Sequence, residues 1–211
     1  MRNNIKKLFY LIALMVVSAA RAGAYEDFFK AVELDNPRLL GAILAQGFDP
    51  NTLDPRGHTA LYLALREGST KAAETLVAQP DIRIDAENRY GETALMMAAL
   101  KGRVDWCKRL IERGARVDKD GWTPLHYAAV GPEVATVRLM LDRGARVDPV
   151  APDGSTPLML AAREGAIDAV PLLLEHGADP RLRSKNGMTA ADFAKAGGRD
   201  KLAAKLAALA R

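Results

Sequence analysis

Thr123-Pro124-Leu125-His126-Tyr127-Ala128-Ala129 is the stretch that decides the fold of this 211-residue chain. Its threonine is a good helix N-cap, because the hydroxyl can accept a hydrogen bond from an amide two or three residues later. The proline that follows has no N–H to leave unpaired. The leucine and the two alanines return at helical spacing, so the stretch predicts a short helix that Pro132 ends.

A second helix is predicted directly after the first. Val134, Val137 and Leu141 predict its inner stripe, and Gly144 predicts its end, since glycine commonly follows the last helical residues. The segment 146–148 then leads out in an extended conformation. The sequence therefore predicts a unit of two helices joined by a turn.

The same unit recurs along the chain. The pattern Gly-x-Thr returns at intervals of 34, 30, 33 and 33 residues, at Gly57, Gly91, Gly121, Gly154 and Gly187. Such a period is typical of a solenoid of stacked units. We expect the glycines to supply the positive φ of a tight turn. The short interval locates a three-residue deletion in the loop before Trp122, and the long interval locates one extra residue near 79–82.

These repeats resemble the ankyrin repeat family. The resemblance rests on 123–129 with Gly144-Ala145-Arg146-Val147-Asp148, on Thr156-Pro157-Leu158-Met159-Leu160-Ala161-Ala162 with Gly177-Ala178-Asp179, and more loosely on 93–99. It implies an all-α ankyrin-repeat solenoid of stacked helix-turn-helix units with hairpin fingers, which are the loops that carry the glycines. The expected boundaries are a degenerate unit at 25–53, repeats at 54–87, 88–117, 118–150 and 151–183, and a C-terminal cap unit at 184–211.

The two end units depart from the family pattern, as expected where one side faces water. The first is predicted to form helices near 26–34 and 37–45, closed by Gly47. In the cap unit, Ala191 and Asp192 stand where the family pattern has leucine and histidine. The resemblance implies a last helix whose Leu202, Leu206 and Leu209 seal the core.

The N-terminal segment has the layout of a secretory signal peptide. Residues 1–24 carry a basic start, an apolar run at Leu8–Val17 and small residues after it, so we expect cleavage before Gly23 or Tyr25. The alternatives are an uncleaved anchor or a buried helix. The formal net charge is +4, and this segment holds four basic and no acidic residues, so the processed chain has no net charge. That balance argues against a nucleic-acid partner.

The sequence offers little for catalysis. Cys107 aligns with small apolar residues of the other repeats, which predicts a buried structural thiol. The three histidines have no metal-ligand spacing, and His126 resembles the structural histidine of the family. No phosphate-binding loop and no nucleophile motif is found. We therefore expect no catalytic residue, no metal site and no cofactor.

The position after each turn glycine varies most among the repeats. It reads His58, Glu92, Trp122, Ser155 and Met188, which keeps neither size nor polarity and predicts a surface position. The resemblance places such positions on the finger tips and the concave face, where partners bind. The expected partner-binding residues are Trp122, Tyr90, His58, Arg66, Arg89, Glu92 and Lys101. Two interpretations of Trp122 stay open: an interface anchor, or a filler of the shortened finger. For Tyr90 the alternative is an ordinary exposed turn tyrosine.

The expected function is that of a non-enzymatic scaffold or adaptor that binds an unidentified protein. The signal peptide and the resemblance to exported bacterial ankyrin proteins predict the periplasm of a Gram-negative bacterium, with no integral membrane segment after processing. The alternative function is an inhibitor or immunity-type protein that blocks a secreted enzyme or toxin. We expect a monomer.

Overall fold

The computed structural model describes residues 23–166 and 168–210. The predicted signal peptide therefore lies outside the described residues, apart from its last two. The chain divides into two compact units, Met1–Ile82 and Arg83–Arg211. Within the described ranges the regular elements are helices, and the recorded β contact is an isolated antiparallel bridge between Leu53 and Thr59. The predicted all-α class is confirmed.

The first unit contains two helix pairs. They are α1 (23–33), α2 (Pro37–Ala45), α3 (Ala60–Glu67) and α4 (Thr70–Val77). α4 packs against both α2 and α3. Fully buried Phe28, Leu40 and Leu76 form the centre of its core. The degenerate first repeat thus has the two predicted helices, with Gly47 at a φ of 86° after the second.

The second unit contains four further pairs. They are α5 (Ala94–Leu100) with α6 (Val104–Glu112), α7 (Pro124–Val130) with α8 (Val134–Asp142), α9 (Pro157–Arg163) with α10 (Ala169–Glu175), and α11 (Ala190–Ala196) with α12 (Asp200–Leu209). The first helices α5, α7, α9 and α11 pack in one row, each on the next. The second helices α6, α8 and α10 form a parallel row behind them.

Helix starts and ends follow the sequence signals. The threonine of each Gly-x-Thr caps a first helix by accepting a hydrogen bond from the amide three residues on, as Thr123 does from His126. The second helix α8 ends in a left-handed glycine, Gly144, with φ of 84°. Its amide donates to Leu141, and the next amide, of Ala145, donates to Met140. This pair of bonds satisfies carbonyls that the helix leaves open.

The inner stripe of α8 differs from the prediction. Val137 is fully buried as expected, but Val134 and Leu141 are only half-buried. The buried set is instead Thr136, Val137, Leu139 and Met140. The reason is that α8 contacts three helices, α6, α7 and α10. Its buried face is therefore wider than a single stripe and does not centre on Val134 and Leu141.

The fingers share one closed turn, except where the chain is short. In the finger before α9, the amide of Ala151 donates to Ser155 and that of Gly154 donates to Ala151. The same pair of bonds recurs in the fingers that begin at 54, 88 and 184, but none is recorded at 118–122. Here Lys119 reaches back to Glu87 and to the Gly91 carbonyl, at 2.7 and 2.8 Å. From the other side Arg146 binds Asp118, so two charged side chains span the shortened finger.

Candidate functional site

A groove of about 260 Å³ crosses the row of first helices in the second unit. Three consecutive repeats contribute to it, through the ends of α5, α7 and α9. Its lining is mostly apolar and aromatic, and consists of Leu100, Trp122, His126, Tyr127, Val130, Leu160, Arg163 and Glu164. The groove therefore places a concave, mostly apolar surface beside Trp122, one of the predicted binding residues.

Trp122 forms one wall of the groove. Its side chain is half-buried, and its ring meets those of His126 and Tyr127 edge to face, at centroid distances of 5.3 and 6.4 Å. Edge-to-face pairs of this kind are favourable beyond the area they bury. The side chains that reach across the shortened finger are those of Lys119 and Arg146, whereas the indole packs on the first turn of α7 and faces the groove.

Tyr127 forms the adjoining wall. Its position corresponds to Leu63, Met97, Leu160 and Phe193 in the other repeats, which predicts a core residue, but this prediction is wrong. The ring is half-buried, and its hydroxyl donates to Glu92 Oε1 at 2.7 Å. The other carboxylate oxygen of Glu92 accepts from the Asn88 amide at 2.6 Å. The other repeats have leucine, methionine or phenylalanine at this position. The hydroxyl of Tyr127 was therefore the feature of the sequence that could have indicated a partly exposed side chain.

His126 forms the floor and has no solvent-exposed surface. The Thr123 amide donates to its Nδ1 at 3.1 Å, so the ring proton is on Nε2, which donates to the Ser155 carbonyl of the next repeat at 3.1 Å. Burial lowers the pKa of His126, which agrees with a neutral ring. The prediction of a structural histidine is confirmed by these bonds.

An ion pair closes one end of the groove. Arg163 Nε donates to Glu164 Oε1 at 2.7 Å, and the guanidinium carbon lies 5.5 Å from the centroid of the Phe193 ring. The two charges cancel within the site. Leu100, Val130 and Leu160 provide the aliphatic surface between this pair and the aromatic walls.

The other predicted residues of the second unit lie outside the groove lining. Tyr90 is 61% exposed, and the Arg89 guanidinium carbon lies 5.8 Å from its ring centroid. Lys101 is exposed directly after Leu100, and Glu92 is half-buried behind Tyr127. The groove lining thus shares only Trp122 with the predicted set, although Lys101 and Glu92 adjoin it.

In the first unit, the prediction that His58 lies at the surface is wrong. It is 8% exposed, its Nδ1 lies 3.0 Å from Asp54 Oδ2, and its ring stacks on that of Tyr62. Ser155, in the same column, is 1% exposed. The contacts with Asp54 and Tyr62 bury His58, and both the amide and the hydroxyl of Ser155 donate to the Asp153 carboxylate of the same finger. Arg66 is half-buried and binds the neighbouring Glu67 at 2.7 Å.

The described residues show little that would support other chemistry. Cys107 is fully buried, and burial raises the pKa of its thiol to about 12, so the reactive thiolate is strongly disfavoured, as predicted for a structural thiol. Within 23–166 and 168–210, no group of three or more histidine, cysteine or acidic residues could hold a metal ion. Over the same ranges, every helix is too short or too polar to cross a bilayer.

Comparison with known proteins gives a family match. A family model described as ankyrin repeats, in three copies, matches residues 28–120, 115–184 and 135–208. The chain is also similar to the glycerophosphocholine phosphodiesterase GDE1 of Candida albicans. The two are 33% identical over 106 residues, which is 47% of this chain and 9% of that relative.

Two further relatives show the same pattern of partial coverage. The B-cell lymphoma 3 protein homolog of Mus musculus is 26% identical over 139 residues, 60% of this chain and 31% of that protein. The E3 ubiquitin-protein ligase XB3 of Oryza sativa subsp. japonica is 34% identical over 109 residues, 48% and 23% of the two chains. The similarity therefore extends over less than a third of each of these three relatives.

Proposed function

Because this chain belongs to the ankyrin repeat family, we propose that it is a non-enzymatic scaffold or adaptor that binds another protein in the bacterial envelope. Ankyrin repeats are protein–protein interaction modules. The observation that carries the proposal is the groove across α5, α7 and α9, whose aromatic walls are held in place before any partner arrives. Aromatic side chains are enriched among the residues that dominate binding energy at protein interfaces.

The binding surface centres on Trp122 and Tyr127. Tyr90, Arg89 and Lys101 supply exposed contacts at its edge, and Glu92 positions Tyr127. Charges of both signs surround it, which suits the polar rim of a protein interface. In the first unit, Arg66 is a separate candidate contact, half-buried and paired with Glu67, whereas His58 is too deeply buried to be one.

The proposed location is the periplasm. The support is the pattern of residues 1–24, with a basic start, a short apolar run and small residues at its end. N-terminal sequencing of the protein isolated from its native cells should begin at Gly23 or Tyr25. A protein that retains Met1 and requires detergent for extraction would refute both the location and the zero net charge of the processed chain.

Affinity capture from a periplasmic extract, followed by size-exclusion chromatography with light scattering, tests the binding function. We expect the free protein to be a monomer and the complex to contain one captured protein at a fixed stoichiometry. Recovery of a protein without a fixed ratio, or turnover of a substrate by the purified chain, would contradict the proposed role.

A further inference from the structure

The polar side chains around the groove already have partners. The Tyr127 hydroxyl is bound to Glu92, and both ring nitrogens of His126 are hydrogen-bonded. Arg163 is paired with Glu164. A charged group entering the groove would lose water against a mostly apolar lining whose Arg163–Glu164 pair is already neutral overall, which costs free energy. The charge pattern therefore favours an uncharged occupant.

The walls are fixed by contacts beneath them. The Trp122 ring rests on the His126 ring, which is bonded to two repeats, and Tyr127 is held through Glu92 to Asn88. Arg163 is held between Glu164 and the Phe193 ring. Little side-chain entropy is left to lose when an occupant arrives, so even a small apolar group gains affinity here.

The size of the groove suits a side chain of a protein better than a larger ligand. Its volume of about 260 Å³ lies below the range of about 300–1,000 Å³ that is usual for drug-sized ligands. Leu100, Val130 and Leu160 supply an aliphatic base, and the two perpendicular aromatic rings supply the sides.

We propose that this groove receives a single uncharged apolar side chain of the partner protein, of about the size of leucine. The inference rests on the proposed binding function and adds the chemistry of the anchor residue. The partner's anchor displaces water from the Trp122 and Tyr127 faces, while its neighbouring backbone meets the exposed Lys101 and the Arg163–Glu164 pair.

The two tryptophans allow a test on the unmodified protein without knowing the partner. Trp122 lines the groove, whereas Trp106 is 7% exposed on α6 and serves as an internal reference. The indole N–H resonances are followed by NMR during titration with N-acetyl-leucine amide, N-acetyl-lysine amide or N-acetyl-glutamate amide. Trp122→Phe assigns the two signals. We expect the leucine probe to shift the Trp122 signal saturably, with a Kd on the order of millimolar, and to leave the Trp106 signal in place.

Matched variants locate the probe. Val130 lines the groove and occupies the position that holds Arg66 and Arg163 in other repeats, so Val130→Arg should fold and fill the site. Val150 is 59% exposed on a finger, and Val150→Arg is the control. The saturable shift should disappear in the first variant and persist in the second.

Several results would overturn the inference. They are an equal or tighter response to the lysine or glutamate probe, a linear response to leucine without saturation, or a leucine response that survives Val130→Arg. The first two of these results are measured on the wild-type protein alone, so they remain decisive even if a variant folds poorly. A protein that fails these tests but still captures a partner would refute the apolar anchor and leave the proposed binding function in place.

Discussion

His126 shows how one side chain can tie two repeats together. It binds the backbone of its own helix start and the Ser155 carbonyl of the next repeat. In the last repeat Asp192 takes this position, accepts two hydrogen bonds from Thr189 and makes the local cap alone. These bonds hold the pKa of Asp192 below its usual value. The cap made by Asp192 is therefore local to its own helix.

His126→Met tests the link between repeats, because methionine is the residue that this chain uses at the equivalent Met96 and Met159. Loss of the bond to Ser155 should lower the free energy of unfolding by about 1–2 kcal/mol at pH 7. The lowered pKa also predicts a pH effect. The wild-type protein should lose stability as the pH falls below about 6.5, where the unfolded histidine gains a proton and the buried one does not.

Urea unfolding of both proteins at pH 7 and pH 5 checks this prediction. The variant should lose less stability over that interval than the wild-type protein does. Equal losses would show that His126 does not carry the pH dependence.

Asp148 breaks a pattern that its neighbours keep. The equivalent Asp85 and Asp118 are bound by Arg116 and Arg146, but the next repeat has Asp179 at the arginine position. Asp148 Oδ2 accepts from the Asp179 amide at 2.9 Å, while its Oδ1 is buried without a hydrogen-bond partner among the described residues. Burial, and then the nearby Asp179 charge, raise the pKa of Asp148.

We therefore expect Asp148→Asn to stabilise the protein at pH 7, by less than about 1 kcal/mol, since a neutral amide costs less to bury than a carboxylate. A raised pKa means that the ionised carboxylate opposes folding above that pKa. The gain should shrink as the pH falls through the raised pKa of Asp148, and it should vanish below about 4, the ordinary value in the unfolded chain, because the carboxyl is then protonated in both states. Thermal melts over this pH range measure the difference, and a variant less stable than wild type at pH 7 would contradict the account.

Residue roles were the hardest part to predict from sequence. Comparing repeats correctly placed Cys107 in the core and assigned His126 its structural role. The same comparison failed for His58 and Tyr127, because a column of mixed residue types does not reveal how a turn folds back or where a hydroxyl finds a carboxylate. The groove depends on side-chain directions in three repeats. The sequence therefore indicated Trp122 as a binding residue but did not reveal the other walls of the groove.

At the scale of elements, sequence signals were more informative. Threonine caps and left-handed glycines have strong local energetics, so helix starts and ends follow them closely. Burial of whole faces is less local. In α12, Leu206 is 1% exposed, Leu202 is half-buried, and Leu209 is 54% exposed, so the prediction that all three seal the core is wrong for Leu209. This last helix packs mainly on α11, which covers only part of its circumference.

The variants Leu206→Ala and Leu209→Ala compare the stability contributed by a buried and by an exposed leucine of α12. The first change leaves a cavity and should cost about 2–5 kcal/mol, whereas the second should cost no more than about 0.5 kcal/mol. Both values come from urea unfolding under identical conditions. Similar costs for the two variants would show that α12 is not seated as described.

At the scale of the whole molecule, the chain is built from ankyrin repeats, which are protein–protein interaction modules. The chain has ankyrin repeats in common with relatives that carry very different names, among them a phosphodiesterase and a ubiquitin-protein ligase. The match covers a small share of each relative, so the similarity concerns the repeats alone. Within this chain, the groove lining and the shortened finger beside it mark the third Gly-x-Thr repeat among the repeats of the second unit.

The affinity of the captured partner for Val130→Arg and for Val150→Arg tests the central claim most directly. Isothermal titration calorimetry with the wild-type protein as reference gives the two Kd values. The groove variant should bind about 30-fold more weakly, the size of a 2 kcal/mol hot spot, and the finger variant should stay within about threefold of wild type. Equal affinities for all three proteins would contradict binding through the groove.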